Sequence, residues 1–244
     1  MKITTFFKKT KYLWIGGLMG AVQQLAGRLD YYLYHGRDIF SFSDIMGGLS
    51  LYAVIILFVI KRDVPPKQQF RDLFLFFFGL DFFYYLYIFI MELCWYLSEK
   101  RNAAEQIRDI SFYFQRTFGE IFDFIKWTTI GTAAAVWAYF ATILRNRNKK
   151  KLYVTMLIPL FAVIVLELAS GLHSAVMYII QEYKRAHDLP LPTNSELFFS
   201  ISSLLVPLVL LILCVYKFIF AERVSNKSKR KPPIHSIKET GSPR

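Results

Sequence analysis

The chain has 244 residues, of which 55% are hydrophobic and 18% aromatic, and a formal charge of +12. That apolar fraction excludes an ordinary soluble domain and makes a membrane the expected solvent. The positive balance does not require a nucleic-acid partner, because its distribution along the chain follows a membrane topology, as set out below.

Windows of about 20 mostly apolar residues, the length that crosses roughly 30 Å of hydrocarbon, occur six times. They lie at about 12–27, 42–60, 73–97, 119–144, 152–180 and 197–220. The expected fold class is therefore an all-α integral membrane protein with six transmembrane helices over residues 1–220. Residues 221–244 form a basic tail, expected to be disordered because it carries few large apolar side chains.

Span one, "YLWIGGLMGAVQQLAG", carries Gln23 and Gln24, and its Gly16, Gly17, Gly20, Gln24 and Gly27 lie largely on one face, which allows close helix approach. Its basic flank resembles that of a cleaved signal peptide. Leu25 before Gly27 fits a cleavage site poorly, so the span is expected to be retained. Span two opens with "SFSD" at Ser41, span four with "TFGE" at Thr117 and span six with "TNSE" at Thr193. Each matches a capping box, in which a hydroxyl accepts from a first-turn amide and an acid reaches back to the cap. The starts are 76 residues apart in both intervals. Two readings of that spacing stand: three parallel helical hairpins, or recurrence of a short and common motif. The Pro-x-[Asp/Glu]-x-x-[Lys/Arg] signature of the triplicated mitochondrial carriers is absent, and no family resemblance is claimed.

Between spans three and four, Ile107, Ile110, Phe114 and Phe118 recur at helical spacing opposite Glu105, Arg108, Asp109 and Arg116, the pattern of an amphipathic helix on the outer surface. Span four places Gly131, Ala134, Ala135 and Ala138 on one face, and Asp123 with Lys126 is an intrahelical pair near its outer end. In span six, Pro207 frees the carbonyl four residues back. Cys94 and Cys214 sit at different depths and are read as small hydrophobes.

Orientation follows from the thirty Lys and Arg residues. With the N-terminus cytoplasmic, twenty fall in inner segments, eight in outer segments, and Lys126 and Lys217 lie near helix ends. Every loop obeys the positive-inside rule. The expected location is the cell membrane with both termini cytoplasmic. The expected partners are the lipid bilayer, anionic headgroups at the inner loops and tail, and a membrane protein or a second copy of the chain.

The candidate ligand- or ion-binding residues are the ionisable and polar groups at depth. Asp81 interrupts "FFFGLDFFYYLY" eight residues into span three, and Glu167 is close to the middle of span five. A carboxylate there costs about 2.5–3.5 kcal/mol on insertion scales, so each must face the bundle interior, be paired or be protonated. Tyr85 and Glu92 share the Asp81 face, Ser170, Gly171 and Ser174 share the Glu167 face, and His173 lies about 120° away from it. The sequence contains no HExxH, phosphate-binding loop, dinucleotide fingerprint or nucleophile elbow, so no catalytic residue, cofactor or metal is assigned. Three functions stand: a small transporter or the membrane subunit of a transport system using the intramembrane carboxylates, an accessory or interaction membrane protein without transport activity, and an intramembrane enzyme with Glu167 and His173 as acid and base.

The charge partition has a direct check. Single cysteines at Ser98 and Asn226, in a background lacking Cys94 and Cys214, should react with an impermeant reagent on intact cells at 98 and not at 226. Labelling at 226 alone would invert the topology.

Overall fold

The computed structural model describes residues 3–34, 41–102, 110–187 and 201–217, and these are helical apart from the short connections, with no strand among them. The helices are α1 (Ile3–Tyr34), α2 (Phe42–Gly47), α3 (Leu49–Ile60), α4 (Pro66–Asn102), α5 (Ile110–Asn146), α6 (Lys150–Ala186) and α7 (Ile201–Val215).

Among the described residues three helices are long and apolar enough to cross a membrane: Pro66–Cys94 within α4, Thr117–Asn146 within α5, and α6. At 1.5 Å per residue each exceeds the roughly 30 Å of hydrocarbon. Six uninterrupted spans are not what the described residues show. The stretch expected to form one span over 42–60 is two helices that meet at Gly47 and Gly48, and Gly48 takes an extended backbone (φ −62°, ψ 133°). Two adjacent glycines have no Cβ contacts to hold a helical turn, and their entropy favours a break. The expected first span lies inside α1, and the described part of the sixth is the 15-residue α7.

Local chemistry fixes the connections. Pro66 opens α4, where a missing amide costs nothing, and the Pro65 carbonyl accepts from the Gln68 and Gln69 amides. Between α5 and α6, Asn148 adopts a left-handed backbone (φ 55°). Its amide donates to the Arg145 carbonyl at 3.1 Å, and the Lys149 amide donates to Leu144 at 3.0 Å. That pair of bonds is a Schellman turn, with Asn in the position glycine usually takes.

Two expectations about caps are corrected. Thr117 does not start a helix: α5 runs through it from Ile110, so its neighbouring amides already have helical partners and need no cap. For the same reason residues 110–118 are not a separate amphipathic helix but the first turns of α5, and 98–102 belong to α4; residues 103–109 lie outside the described set. Ser41 does precede α2, yet its hydroxyl donates to Asp30 Oδ2 at 3.0 Å. The Ser202 hydroxyl accepts from the Ser41 amide and donates to its carbonyl, 3.0 Å each. Thr193 lies outside the described residues. The loss of the Thr117 start removes the middle member of the equal spacing on which the three-hairpin reading rests.

Helix α4 is the centre of the packing, with α1 on one side and α5 on the other. A Cβ at Gly16 or Gly20 would overlap the carbonyl oxygens of Phe76 or Leu80, and one at Gly79 would overlap that of Leu13. The glycine face of α1 is thus a backbone-to-backbone contact with α4. On the other side, a Cβ at Gly131 would stand 2.6 Å from Phe77 Cβ, and Ala135, Ala138 and Ala141 are fully buried. One apolar core, including Leu57 and Ile60 of α3, Leu73 of α4, Ile164 of α6 and Cys214 of α7, joins the elements. The outer faces carry exposed Leu, Ile, Val and Phe, notably along α6, as a hydrocarbon solvent permits.

The α1–α4 contact predicts opposite signs at two glycines of one helix. Gly20→Val should destabilise the purified protein by about 1–3 kcal/mol or more, through overpacking against backbone. Gly27, with nothing within 4 Å of its virtual Cβ, should tolerate Ala with a gain of about 0.5–1 kcal/mol. Thermal denaturation in detergent reads both, and a Gly20→Val protein as stable as wild type would mean that α1 and α4 do not meet here.

Candidate functional site

The short helix α3 cannot satisfy its own ends. Gly48 offers no side chain to its first amides, and at membrane depth water is not a general substitute. Glu167, reaching across from α6, supplies the acceptor. Its Oε1 lies 3.1 Å from the Leu49 amide and its Oε2 2.5 Å from the Ser50 amide. A carboxylate on the positive end of a helix dipole is favourable. The expensive acid of span five is therefore an N-cap delivered from another helix.

Helix α3 is closed at its other end in the same manner. Arg145 Nη1 donates to the Ile60 carbonyl at 2.6 Å and Nη2 to that of Arg62 at 3.0 Å. Gln69 Nε2 bonds the Val59 carbonyl, while its Oε1 meets the Thr142 hydroxyl. Beside them Asp72 pairs with Arg62 at 3.2 Å and Arg71 at 3.1 Å. Arg62 also lies 5.1 Å from the centroid of the Tyr12 ring of α1, and Lys61 Nζ donates to the Lys217 carbonyl at 2.8 Å. Gln69, Asp72 and Thr142 are buried. None of the three was singled out from sequence, because each lies near a predicted span end where polar residues are ordinary. Their role appears only when the α3 carbonyls arrive beside them.

Asp81 is buried and faces inward on α4. Aromatic residues at i and i+4, Phe70, Phe74, Phe78 and Phe82, stack along the same helix with centroids 5.9–6.1 Å apart. Asp81 lines a cavity of about 350 Å³ together with Gln23, Tyr52, Tyr84, Tyr85 and Trp127. Thr128 Oγ1 donates to its Oδ2 at a long 3.4 Å. The Tyr52 hydroxyl lies 3.1 Å from Gln23 Oε1 and 2.9 Å from the Met46 carbonyl, so its single proton serves α1 or α2.

Tyr85 also lines a second crevice, of about 280 Å³, between residues 82–92 of α4 and 117–124 of α5, where Glu92 and Glu120 face the same space. The Asp81, Tyr85, Glu92 face expected on span three thus borders two spaces that share Tyr85 in their lining. A third cavity, of about 360 Å³, holds Glu167 with Ser170, Ser174, Ser202, Ser203 and Pro207. Pro207 deprives the Ser203 carbonyl of its helical donor, and that oxygen is turned to Gly171, where a Cβ would stand 2.6 Å away. Gly47, at the break, lines both the Asp81 and the Glu167 cavities. A pair of glycines inside an apolar run is the sequence signal that marks such a break.

His173 is exposed on α6 and lines none of these three cavities. No hydrogen bond joins it to Glu167, whose carboxylate is held on the α3 amides. Asp123 and Lys126 do form the expected pair, at 3.6 Å. Among the described residues no group of three His, Cys, Asp or Glu is arranged to hold a metal ion. Compared with protein-family models, curated proteins and solved structures, the chain matches none. Its class therefore comes from its helices: an all-α protein with three helices fit to cross a membrane and a broken helix packed among them.

The cap from Glu167 is testable without knowledge of any ligand. Glu167→Ala should speed hydrogen exchange at the Leu49 and Ser50 amides and cost about 0.5–2 kcal/mol of stability. Glu167→Gln, which keeps a carbonyl acceptor, should fall between. Unchanged exchange in the Ala variant would mean that another group caps α3.

Proposed function

We propose that the protein is a small membrane transporter, or the membrane subunit of a transport system, with six crossings of which the second is the broken pair α2 and α3. In this reading both termini are cytoplasmic and the basic inner segments meet anionic lipid headgroups. The observation that carries the proposal is the break at Gly47 and Gly48 between two cavities, one holding Asp81 and the other Glu167. Non-helical backbone at membrane depth is tolerated where it lines a cavity, and discontinuous helices are a recurring construction around transporter binding sites.

The coupling follows from charge. An ionised Asp81 in this setting needs a counter-charge, and either a proton or a cation supplies it. The two neutralise the same group, so they compete, and a carboxylate that holds one at a time exchanges them. An accessory protein held together by interhelical hydrogen bonds would need only the shape of these side chains, not their titration.

Flux decides between the two. Full-length protein in liposomes loaded with a pH-sensitive dye is offered a panel of inorganic and organic cations under an imposed pH gradient. Wild type should give a cation-dependent dye response, and Asp81→Asn should reduce it by more than about tenfold while eluting as a folded protein. If no cation in the panel moves with wild type, or if Asp81→Asn and Glu167→Gln both fold and leave flux unchanged, the chain is not a carboxylate-coupled carrier.

A further inference from the structure

We infer that the cavity at Asp81 binds an organic ammonium ion bearing an aromatic or branched apolar group. The inference deepens the carrier reading, on which calling that ion a substrate rests.

Three features of the cavity select this chemistry. Asp81 is the one charged group among the described residues that line it. Its carboxylate receives only the long Thr128 bond, with no ion pair among the described residues, so its ionised form has room for a cation as complement. The walls are apolar, with five rings, Tyr52, Phe77, Tyr84, Tyr85 and Trp127, set among aliphatic side chains such as Ile56, Leu80 and Leu160. Ring faces attract cations, quaternary ammonium ions most characteristically, and repel anions.

Bare inorganic cations fit poorly. A hard divalent cation takes about six to eight oxygen ligands, whereas the cavity offers the Asp81 oxygens, tyrosine hydroxyls and one Gln23 oxygen. A space of about 350 Å³ instead matches the size of small-molecule sites, which run from about 300 to 1,000 Å³.

The approach to the site repeats the same chemistry. The crevice that shares Tyr85 is lined by Phe82, Phe89 and Phe124 together with Glu92 and Glu120, with no basic residue among its described lining. Lys126 lies 5.5 Å from the centroid of the Trp127 ring, but its charge is paired with Asp123. An aromatic cation in this crevice therefore meets carboxylates and ring faces, and Tyr85 is common to it and to the Asp81 cavity.

The test is calorimetric titration of the purified full chain in a neutral detergent with benzyltrimethylammonium, benzyl alcohol and benzenesulfonate. The ammonium ion should bind saturably at one site, and neither the neutral nor the anionic compound should. Asp81→Asn should weaken binding by roughly tenfold or more. Tyr85→Leu, which keeps an apolar side chain but removes a ring, should weaken it roughly three- to thirtyfold, and it decides the matter if the Asn variant does not fold. Equal binding of benzyl alcohol, or an unchanged Kd in the folded variants, would overturn the assignment. Flux of other cations without ammonium binding would remove this ligand class and leave the carrier. Ammonium binding without any flux would remove the carrier and leave the site.

Discussion

The arrangement depends on the two ends of α3. A helix of 12 residues leaves up to four amides and four carbonyls without internal partners, and its own apolar side chains supply none. Other helices must therefore come to it with charged or polar side chains. Glu167 of α6 takes the amino end, while Arg145 of α5 and Gln69 of α4 take the carboxyl end. These contacts fix the register of three long helices around one short one. They also account for polar residues that an apolar bundle would otherwise have no reason to bury.

The same constraint divides the molecule by character. Around the carboxyl end of α3, Asp72, Arg62, Arg71, Thr142 and Gln69 form a satisfied network. Satisfied networks of this kind rigidify, since each member is costly to leave alone. Around the amino end the helix stops short at Gly48, and the volume that a continuous span would have filled is open on both sides of the break. Gly47, at the break, borders both cavities, and each cavity holds one of the two acids.

Close approach on α4 completes the frame. With Gly16 and Gly20 set against the carbonyls of Phe76 and Leu80, α1 comes near enough for Gln23 to reach the Tyr52 hydroxyl across the cavity. Had α1 carried larger residues on that face, the helices would stand further apart and Tyr52 would lose this partner. A stripe of small residues on one helix thereby sets the width of a space lined by aromatic and aliphatic side chains of others. Asp81 is the one charged group among the described residues that line that space, and Gly47 borders both it and the Glu167 cavity.

Some of this was legible in the sequence and some was not. Hydropathy alone established an all-helical chain with stretches suited to a membrane, because burying backbone in hydrocarbon leaves few alternatives. The inward placement of Asp81 was equally legible, since a carboxylate among aromatics has nowhere else to go, and so were the glycine face of α1 and the Asp123–Lys126 pair, which depend on spacing within one helix. What failed was local pattern read without its surroundings. "TFGE" at Thr117 has the composition of a cap but lies inside α5, because nothing there forces the chain to leave the helix. The division of α2 from α3, the use of Glu167 as a cap and the buried Gln69–Thr142 contact could be decided only in three dimensions. Each joins residues far apart in sequence, Glu167 to Ser50 across 117 positions and Thr142 to Gln69 across 73, and a chain read in order carries no record of which unsatisfied group will meet which partner.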